Sequence, residues 1–217
     1  DSFCFESAVY GAAPFVNSLL LAATTAALGV ALVFSGAYLV ERTAQAPAAA
    51  GIYRLLAILP LAVPGTVLGL AYILAFNTPL SPLRAIYGAI PFLACNCVVH
   101  FYTVCHFTAS GALARLDPQY ETAAATLGVP RLRTVFRVII PMQKDRIANM
   151  AFYFFVNALT TISAVVFLYA PESLPASVAV LQMIDSGAIA EASAMGTLIL
   201  AAALLARLLR GVVRDRK

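Results

Sequence analysis

Charge is what this sequence has least of. Only 11% of its 217 residues are Asp, Glu, Lys or Arg, while 62% are hydrophobic. A soluble domain usually carries roughly a quarter charged residues. The shortage is also uneven, because no Asp, Glu, Lys or Arg occurs in 7–40, 55–83, 85–114, 147–171 or 192–206. Only lipid accepts such stretches on the outside of a fold, and about 20 apolar residues cross the hydrocarbon core. Other absences narrow the chemistry. There is no G-x-x-x-x-G-K-[S/T] loop, so the chain does not cradle nucleotide phosphates in that manner. An H-E-x-x-H pair, a Ser/His/Asp set and paired carboxylates within the apolar stretches are also missing, and the expectation is a protein that is not an enzyme. No internal repeat is evident, nor any low-complexity tract beyond the Ala-rich 44–50. The first apolar run lacks a basic n-region and is too long for a secretory signal peptide. The chain opens at Asp1 without a methionine, which reads as a piece of a longer polypeptide. Three of the four cysteines, Cys95, Cys97 and Cys105, share one apolar run, and with Cys4 they suggest no disulfide framework.

What is present is an all-α membrane protein. Five spans are expected at about 16–40, 55–76, 86–107, 147–170 and 190–210. They form a transmembrane domain over 16–210, preceded by an extracytoplasmic segment, 1–15, and followed by a cytoplasmic tail, 211–217. The connections hold nearly all the charge. Arg42 and Arg54 flank the first, Arg84 stands alone in the second, and the third carries Arg115, Arg131, Arg133, Arg137, Lys144 and Arg146. The fourth, around 171–189, has no basic residue, and the tail carries Arg207, Arg210, Arg214, Arg216 and Lys217. Alternate sides therefore hold thirteen basic residues against one. The positive-inside rule puts the N-terminus outside and places the 108–146 segment and the C-terminus in the cytoplasm.

Gly65 and Gly69 form a G-x-x-x-G step that allows close approach in lipid. Pro60 and Pro64 just before it should kink or interrupt the helix.

The most specific stretch is Asp117 to Pro141, DPQYETAAATLGVPRLRTVFRVIIP. Asp117 suits an N-cap, Pro118 the first turn, and Gly128 with Pro130 a stop. This predicts a helix over 118–127 with Tyr120, Ala123, Ala124 and Leu127 on one face. Leu132, Val135, Phe136, Ile139 and Ile140 repeat the pattern, so two short amphipathic helices meet at a sharp turn. By composition alone this is a surface loop held to anionic lipid by its arginines.

Its spacing, however, resembles the EAA loop of ABC importer permeases: Glu-Ala-Ala, three residues, Gly, nine residues, then Ile-x-Leu-Pro. Ala123, Ala124, Gly128 and Pro141 match, Val138 and Ile140 stand in for the aliphatic positions, and Thr122 holds the glutamate position with Glu121 beside it. The resemblance extends through LPLAVPGTVLGLAYILAF (59–76), HFYTVCHFTASGALARLDP (100–118) and the 160–195 stretch. It looks closest to the second half of fused ferric-iron and 2-aminoethylphosphonate permeases, and 160–195 is nearest the phosphonate members. The resemblance implies a type I ABC importer permease fold with a cytoplasmic coupling helix, in a bacterial inner membrane. It implies that Glu121, Thr122, Ala123, Ala124, Gly128, Val138, Ile140 and Pro141 engage the ATPase. It further implies partners: cytoplasmic ABC ATPase subunits that bind the ATP and Mg, a second permease half, and an extracytoplasmic substrate-binding protein. This chain itself takes no cofactor and no nucleic acid, and membrane lipid surrounds it. The substrate implied is 2-aminoethylphosphonate or a related small solute; ferric iron or a polyamine is the alternative. A secondary carrier, a channel or a scaffold are rivals from other classes.

Asn149, Tyr153, Asn157, Thr160 and Thr161 fall on one face of the fourth span. The stripe reads equally as a lining of the translocation path or as hydrogen-bonding glue between helices. His100 and His106 sit in the third span, where neutral, bonded histidines are expected. Cys95 and Cys97 point apart at 100° per residue, so the Cys/His set does not gather around a metal. Asp185 and Glu191 are expected in a solvated outer connection.

Overall fold

The computed structural model describes residues 11–43, 47–78, 84 and 86–215. Residues 1–10 of the predicted N-terminal segment, including Cys4, and Arg216 and Lys217 of the tail lie outside the described residues. Helix α1, Ala13–Tyr38, runs for 26 residues, about 39 Å at 1.5 Å per residue. Two of its hydroxyls turn back onto the helix: Thr24 Oγ1 donates to Leu20 O (2.7 Å) and Ser35 Oγ to Ala31 O (2.6 Å). Polar side chains are thereby accommodated in an apolar rod. A π-helical turn, Leu39–Thr43, continues α1.

The second predicted span is two helices, α2 (Pro47–Ala62) and α3 (Gly65–Phe76), whose directions differ by 109°. Pro64 has no N–H to continue the ladder and adopts φ −57°, ψ 141°, so α3 starts afresh with Leu68 N donating to Pro64 O (3.1 Å). The interruption expected from Pro60 and Pro64 is therefore a sharp turn. The third predicted span is α4 (Ile90–His100) and α5 (Tyr102–Ala114), bent by 62° with no proline or glycine at the break. Contacts from outside hold this bend. Thr103 Oγ1 donates to Ala57 O (2.8 Å) and the Tyr102 and Tyr53 hydroxyls meet at 2.5 Å, drawing α5 onto α2.

After α5 come α6 (Gln119–Thr126) and α7 (Arg131–Thr134), then a π-helical turn (Val135–Ile139) and α8 (Ile140–Met142). Helix α9 is Lys144–Thr160 and stops there. The fourth span, expected to reach 170, is thus shorter by a decade of residues. Thr161 is extended (ψ 137°) and 161–170 is not helical apart from turns. The carbonyls freed by this exit are met by other elements: Ser177 Oγ donates to Thr161 O (2.6 Å) and Asn96 Nδ2 to Ala164 O (2.5 Å). Irregular backbone survives at membrane depth only when protein groups satisfy it. The expected outer connection contains helix α10, Ala176–Asp185, packed inward through Ala176, Val178, Ala179 and Met183. Asp185 and Glu191 are exposed. Gly187, at φ +81°, turns the chain into α11, Ile189–Asp215.

Among the described residues, α1 and α11 are long and apolar enough to cross a membrane unbroken, and the two bent pairs bring the number to four. With 17 residues, α9 spans only about 26 Å. The core lies in two clusters along α1. One gathers Leu21, Leu93, Cys97, Leu159, Val165 and Leu168. The other gathers Val33, Phe34, Leu113, Ile139, Met150 and Phe154. Gly29 permits this second contact, since a Cβ there would lie 2.6 Å from the Phe154 ring. Gly65 faces Ser163 of the irregular segment and the His100 ring at the end of α4, and Gly69 faces Phe167 of the irregular segment.

Candidate functional site

Helix α6 is short, capped at both ends and exposed. Asp117 Oδ1 accepts the Gln119 N–H (2.9 Å), which satisfies one free donor of the first turn. At the other end Gly128 adopts φ +70°, Val129 N donates to Ala124 O (2.9 Å) and Gly128 N to Ala125 O (3.0 Å). That pair of bonds is a Schellman closure, and only glycine enters its left-handed residue without strain. Thr122 Oγ1 returns to Pro118 O and Thr126 Oγ1 to Ala123 O.

None of the residues of α6 is buried. Tyr120 of α6 and its neighbours Leu127, Leu132 and Phe136 are all largely exposed apolar side chains, Leu127 reaching 80%. A groove of about 700 Å³ runs between α6 and the α7 arm, lined by Tyr120, Ala123, Leu127, Arg133, Arg137 and Val138. Its floor is apolar, and Arg133 and Arg137 together with Asp117 form a charged rim. This surface lies at the end of the bundle where α1 finishes, away from Ala13, because Tyr38 and Arg42 both reach α6.

The coupling residues expected from sequence take different places. Ala123, Ala124 and Val138 border the groove. Thr122 is exposed beside it. Gly128 makes the turn. Ile140 packs against the second core cluster and Pro141 is exposed, and neither borders the groove. Glu121 points inward. Its Oε1 accepts from Tyr38 OH (2.8 Å) and its Oε2 from Arg42 Nε (3.0 Å), with Arg42 Nη2 at 2.8 Å. Arg42 Nη1 also donates to Leu116 O (2.9 Å). The sequence reading used Arg42 only as a marker of sidedness and missed this role. The available signal was a pair of opposite charges, Glu41 and Arg42, placed directly after a 34-residue charge-free run.

The predicted polar stripe is only partly one surface. Asn149 accepts a hydrogen bond from Arg210 on α11, whose guanidinium also sits 5.1 Å from the Phe152 ring centre. Asn149, Tyr153 and Asn157 line a cavity of about 420 Å³ together with Arg146 and Arg210. Asn157 Nδ2 donates back to Tyr153 O (2.8 Å), and Thr160 Oγ1 to Val156 O (3.0 Å). Thr161 leaves the stripe, because α9 has ended and its residue is buried under α10. Tyr153 also lines a cavity of about 380 Å³ at the α2–α3 break, with Pro60, Pro64 and His100. The buried His106 stacks on Tyr102, with ring centres 6.0 Å apart.

Comparison with known proteins adds kinship to this geometry. The family described as "Binding-protein-dependent transport system inner membrane component" matches residues 45–216. The chain is 31% identical over 145 residues to the ferric transport system permease protein FbpB of Actinobacillus pleuropneumoniae, a match that covers 67% of this chain and 21% of that protein. It is 30% identical over 86 residues to a ferric transport system permease-like protein, AfuB, of Escherichia coli, covering 40% and 72% respectively. The match therefore spans about a fifth of the length of FbpB. Among solved structures, a bacterial ABC transporter involved in the import of the acidic polysaccharide alginate superposes with a TM-score of 0.63 at 15% identity. That superposition covers 98% of this chain and 78% of the other, and it establishes a shared all-helical fold.

Proposed function

Since the chain belongs to the family of binding-protein-dependent transport system inner membrane components, we propose that it serves as a permease subunit of an ATP-driven ABC importer. The observation that carries this is α6: a capped rod with no buried residue beside an apolar groove, at one end of an otherwise apolar bundle. A capped helix transmits a push that a flexible loop absorbs, because ordering a loop costs about 1–2 kcal/mol per residue at each contact. In this reading ATPase subunits dock on α6 and the groove. Their ATP-driven motion shifts the bundle, with a second permease half, between outward- and inward-open populations. ATP and Mg stay on the ATPase, and a binding protein delivers the substrate from the other face. The membrane is the bacterial inner membrane, with α6 in the cytoplasm, a side the basic residues favour.

Asn149, Tyr153, Asn157 and Thr160 are the side chains we assign to the path, supported by the cavity that three of them share. The substrate we assign is 2-aminoethylphosphonate or a related small solute, supported by the resemblance of 160–195 to phosphonate permeases. The names of two relatives favour ferric iron as the second reading. Two measurements decide. Co-purification of an ATPase subunit with the full-length protein should be lost in Gly128→Pro and Ala123→Asp; retained association and transport in both variants count against the importer. Uptake of labelled 2-aminoethylphosphonate and of labelled ferric iron into cells carrying the full-length gene separates the two substrates.

A further inference from the structure

Apolar packing does not fix α6 on the bundle, since none of its residues is buried. A polar clasp does. The Arg42 side chain is 8% exposed and that of Glu121 25%, so the pair is largely withdrawn from solvent. Both carboxylate oxygens are used: Oε1 by Tyr38 OH, and Oε2 by two nitrogens of the Arg42 fork. The remaining Arg42 nitrogen, Nη1, holds Leu116 O, where the chain passes from α5 toward α6. A guanidinium can do this because its donors are planar and fixed; an ammonium cannot.

The neighbouring residue reaches another element. Glu41 accepts from Arg54 Nη2 (3.0 Å) and Nε (3.3 Å), and Arg54 belongs to α2. The five-residue π-helical turn at the foot of α1 therefore carries two adjacent charges of opposite sign, one fastened to α6 and one to α2. Short π-helical turns recur at functional sites. Helix α1 packs on α4, α5 and α9, and α2 ends at the Pro64 break beside the cavity that holds His100 and Tyr153.

We infer that Leu39–Thr43 is a relay. Displacement of α6 passes through the Glu121–Arg42 pair into α1, and through Glu41–Arg54 into α2 and its break. Arg42 is the positioning residue of this device, and it acts through α6 rather than on any substrate. The inference rests on α6 being the ATPase contact. It adds that the motion enters the bundle through α1 and α2, not only through the covalent neighbours of α6.

The test uses the full-length protein in nanodiscs, with and without its ATPase and binding protein. Hydrogen exchange of the amides of 120–127 should speed up at least tenfold in Arg42→Gln while those of α4 and α9 keep their rates. Arg42→Lys, which keeps the charge without the fork, should fall between. Unchanged exchange in Arg42→Gln overturns the clasp, whatever the protein transports. In the assembled transporter, ATP hydrolysis stimulated by the binding protein should drop about tenfold in Arg42→Gln. The charge-exchanged Arg42→Glu/Glu121→Arg protein should recover part of it. Loosened exchange with full stimulation overturns the relay. A wild-type protein that binds no ATPase overturns the importer reading and the relay with it, while the exchange arm still decides the clasp.

Discussion

At each of its two ends the bundle holds a piece of chain that is not a spanning helix, and the fastenings differ in kind. At the α6 end an ion pair with a tyrosine hydroxyl does the holding: Arg42, Glu121 and Tyr38. At the α10 end the fastenings are neutral. Ser18 Oγ accepts the Ala176 N–H (2.8 Å), Asn17 Nδ2 donates to Glu172 O (2.9 Å), and Asn96 and Ser177 hold the carbonyls of Ala164 and Thr161. Ser173 Oγ donates to Gly88 O. The two ends are about 30 Å apart along α1, from Ser18 to Tyr38. For the buried bonds, those of Ser18, Asn96, Ser173 and Ser177, the medium accounts for the difference. An isolated charge in the apolar interior is costly, whereas a neutral amide or hydroxyl that meets a freed carbonyl satisfies that carbonyl at lower cost, even though the buried Asn96 Oδ1 itself has no partner. Near water a charge pair costs less to assemble and can be broken and remade, which a moving part requires.

The largest expected effect lies at the neutral end. Asn96 is fully buried and supplies the donor for Ala164 O. Asn96→Leu strands that carbonyl and should cost about 2–3 kcal/mol of stability. Thermal unfolding in nanodiscs measures it, and the loss should be the same at low and high salt. Next comes Tyr38→Phe, which removes a hydrogen bond to the Glu121 carboxylate. Such bonds contribute about 1.5 kcal/mol or more, and here the loss should show as faster hydrogen exchange in 120–127. Raising the ionic strength should speed exchange of the same segment only modestly, because the pair is largely withdrawn from solvent and screening reaches it through the quarter-exposed Glu121. A salt-sensitive Asn96→Leu, or an α6 indifferent to salt, breaks the comparison between the ends. Gly128→Ala is third. Its φ of +70° costs an L side chain about 1 kcal/mol, while the space around it is open, so only α6 should loosen. The smallest effect is Ser177→Ala, which removes the bond to Thr161 O; Ser177 and Thr161 are less completely buried than Asn96 and Ala164, so this loss should sit near the membrane average of about 0.6 kcal/mol. Unfolding temperature should barely move, and a large fall would mean that 161–170 depends on this single hydroxyl.

Where local rules act alone, the sequence was legible. Charge-free runs located the apolar helices, Pro60 and Pro64 located a break, and Asp117 with Gly128 bounded α6 within a residue or so. The end of α9 was not legible. Thr161 to Ala170 is as apolar as a spanning helix, and nothing within it breaks one. It departs from the helix because Ser177 and Asn96, distant in sequence, hold its carbonyls. The α4–α5 bend escaped for the same reason, being held by α2. At the site, Ala123, Ala124 and Gly128 could be placed by spacing. The inward turn of Glu121 could not, because it depends on Arg42, 79 residues earlier in the chain.

The order of residues by itself therefore determined a lipid-embedded helical chain, its sidedness of charge and one capped rod. These follow from hydropathy, helical period and the backbone preferences of proline and glycine, all of which act within a few residues. Tertiary structure alone decided where helices stop without a breaker, which polar groups in the apolar region find partners, and how the rod is fastened to α1. Each of these depends on whether a donor far along the chain arrives within about 3 Å of an acceptor, a distance that packing sets and local sequence does not.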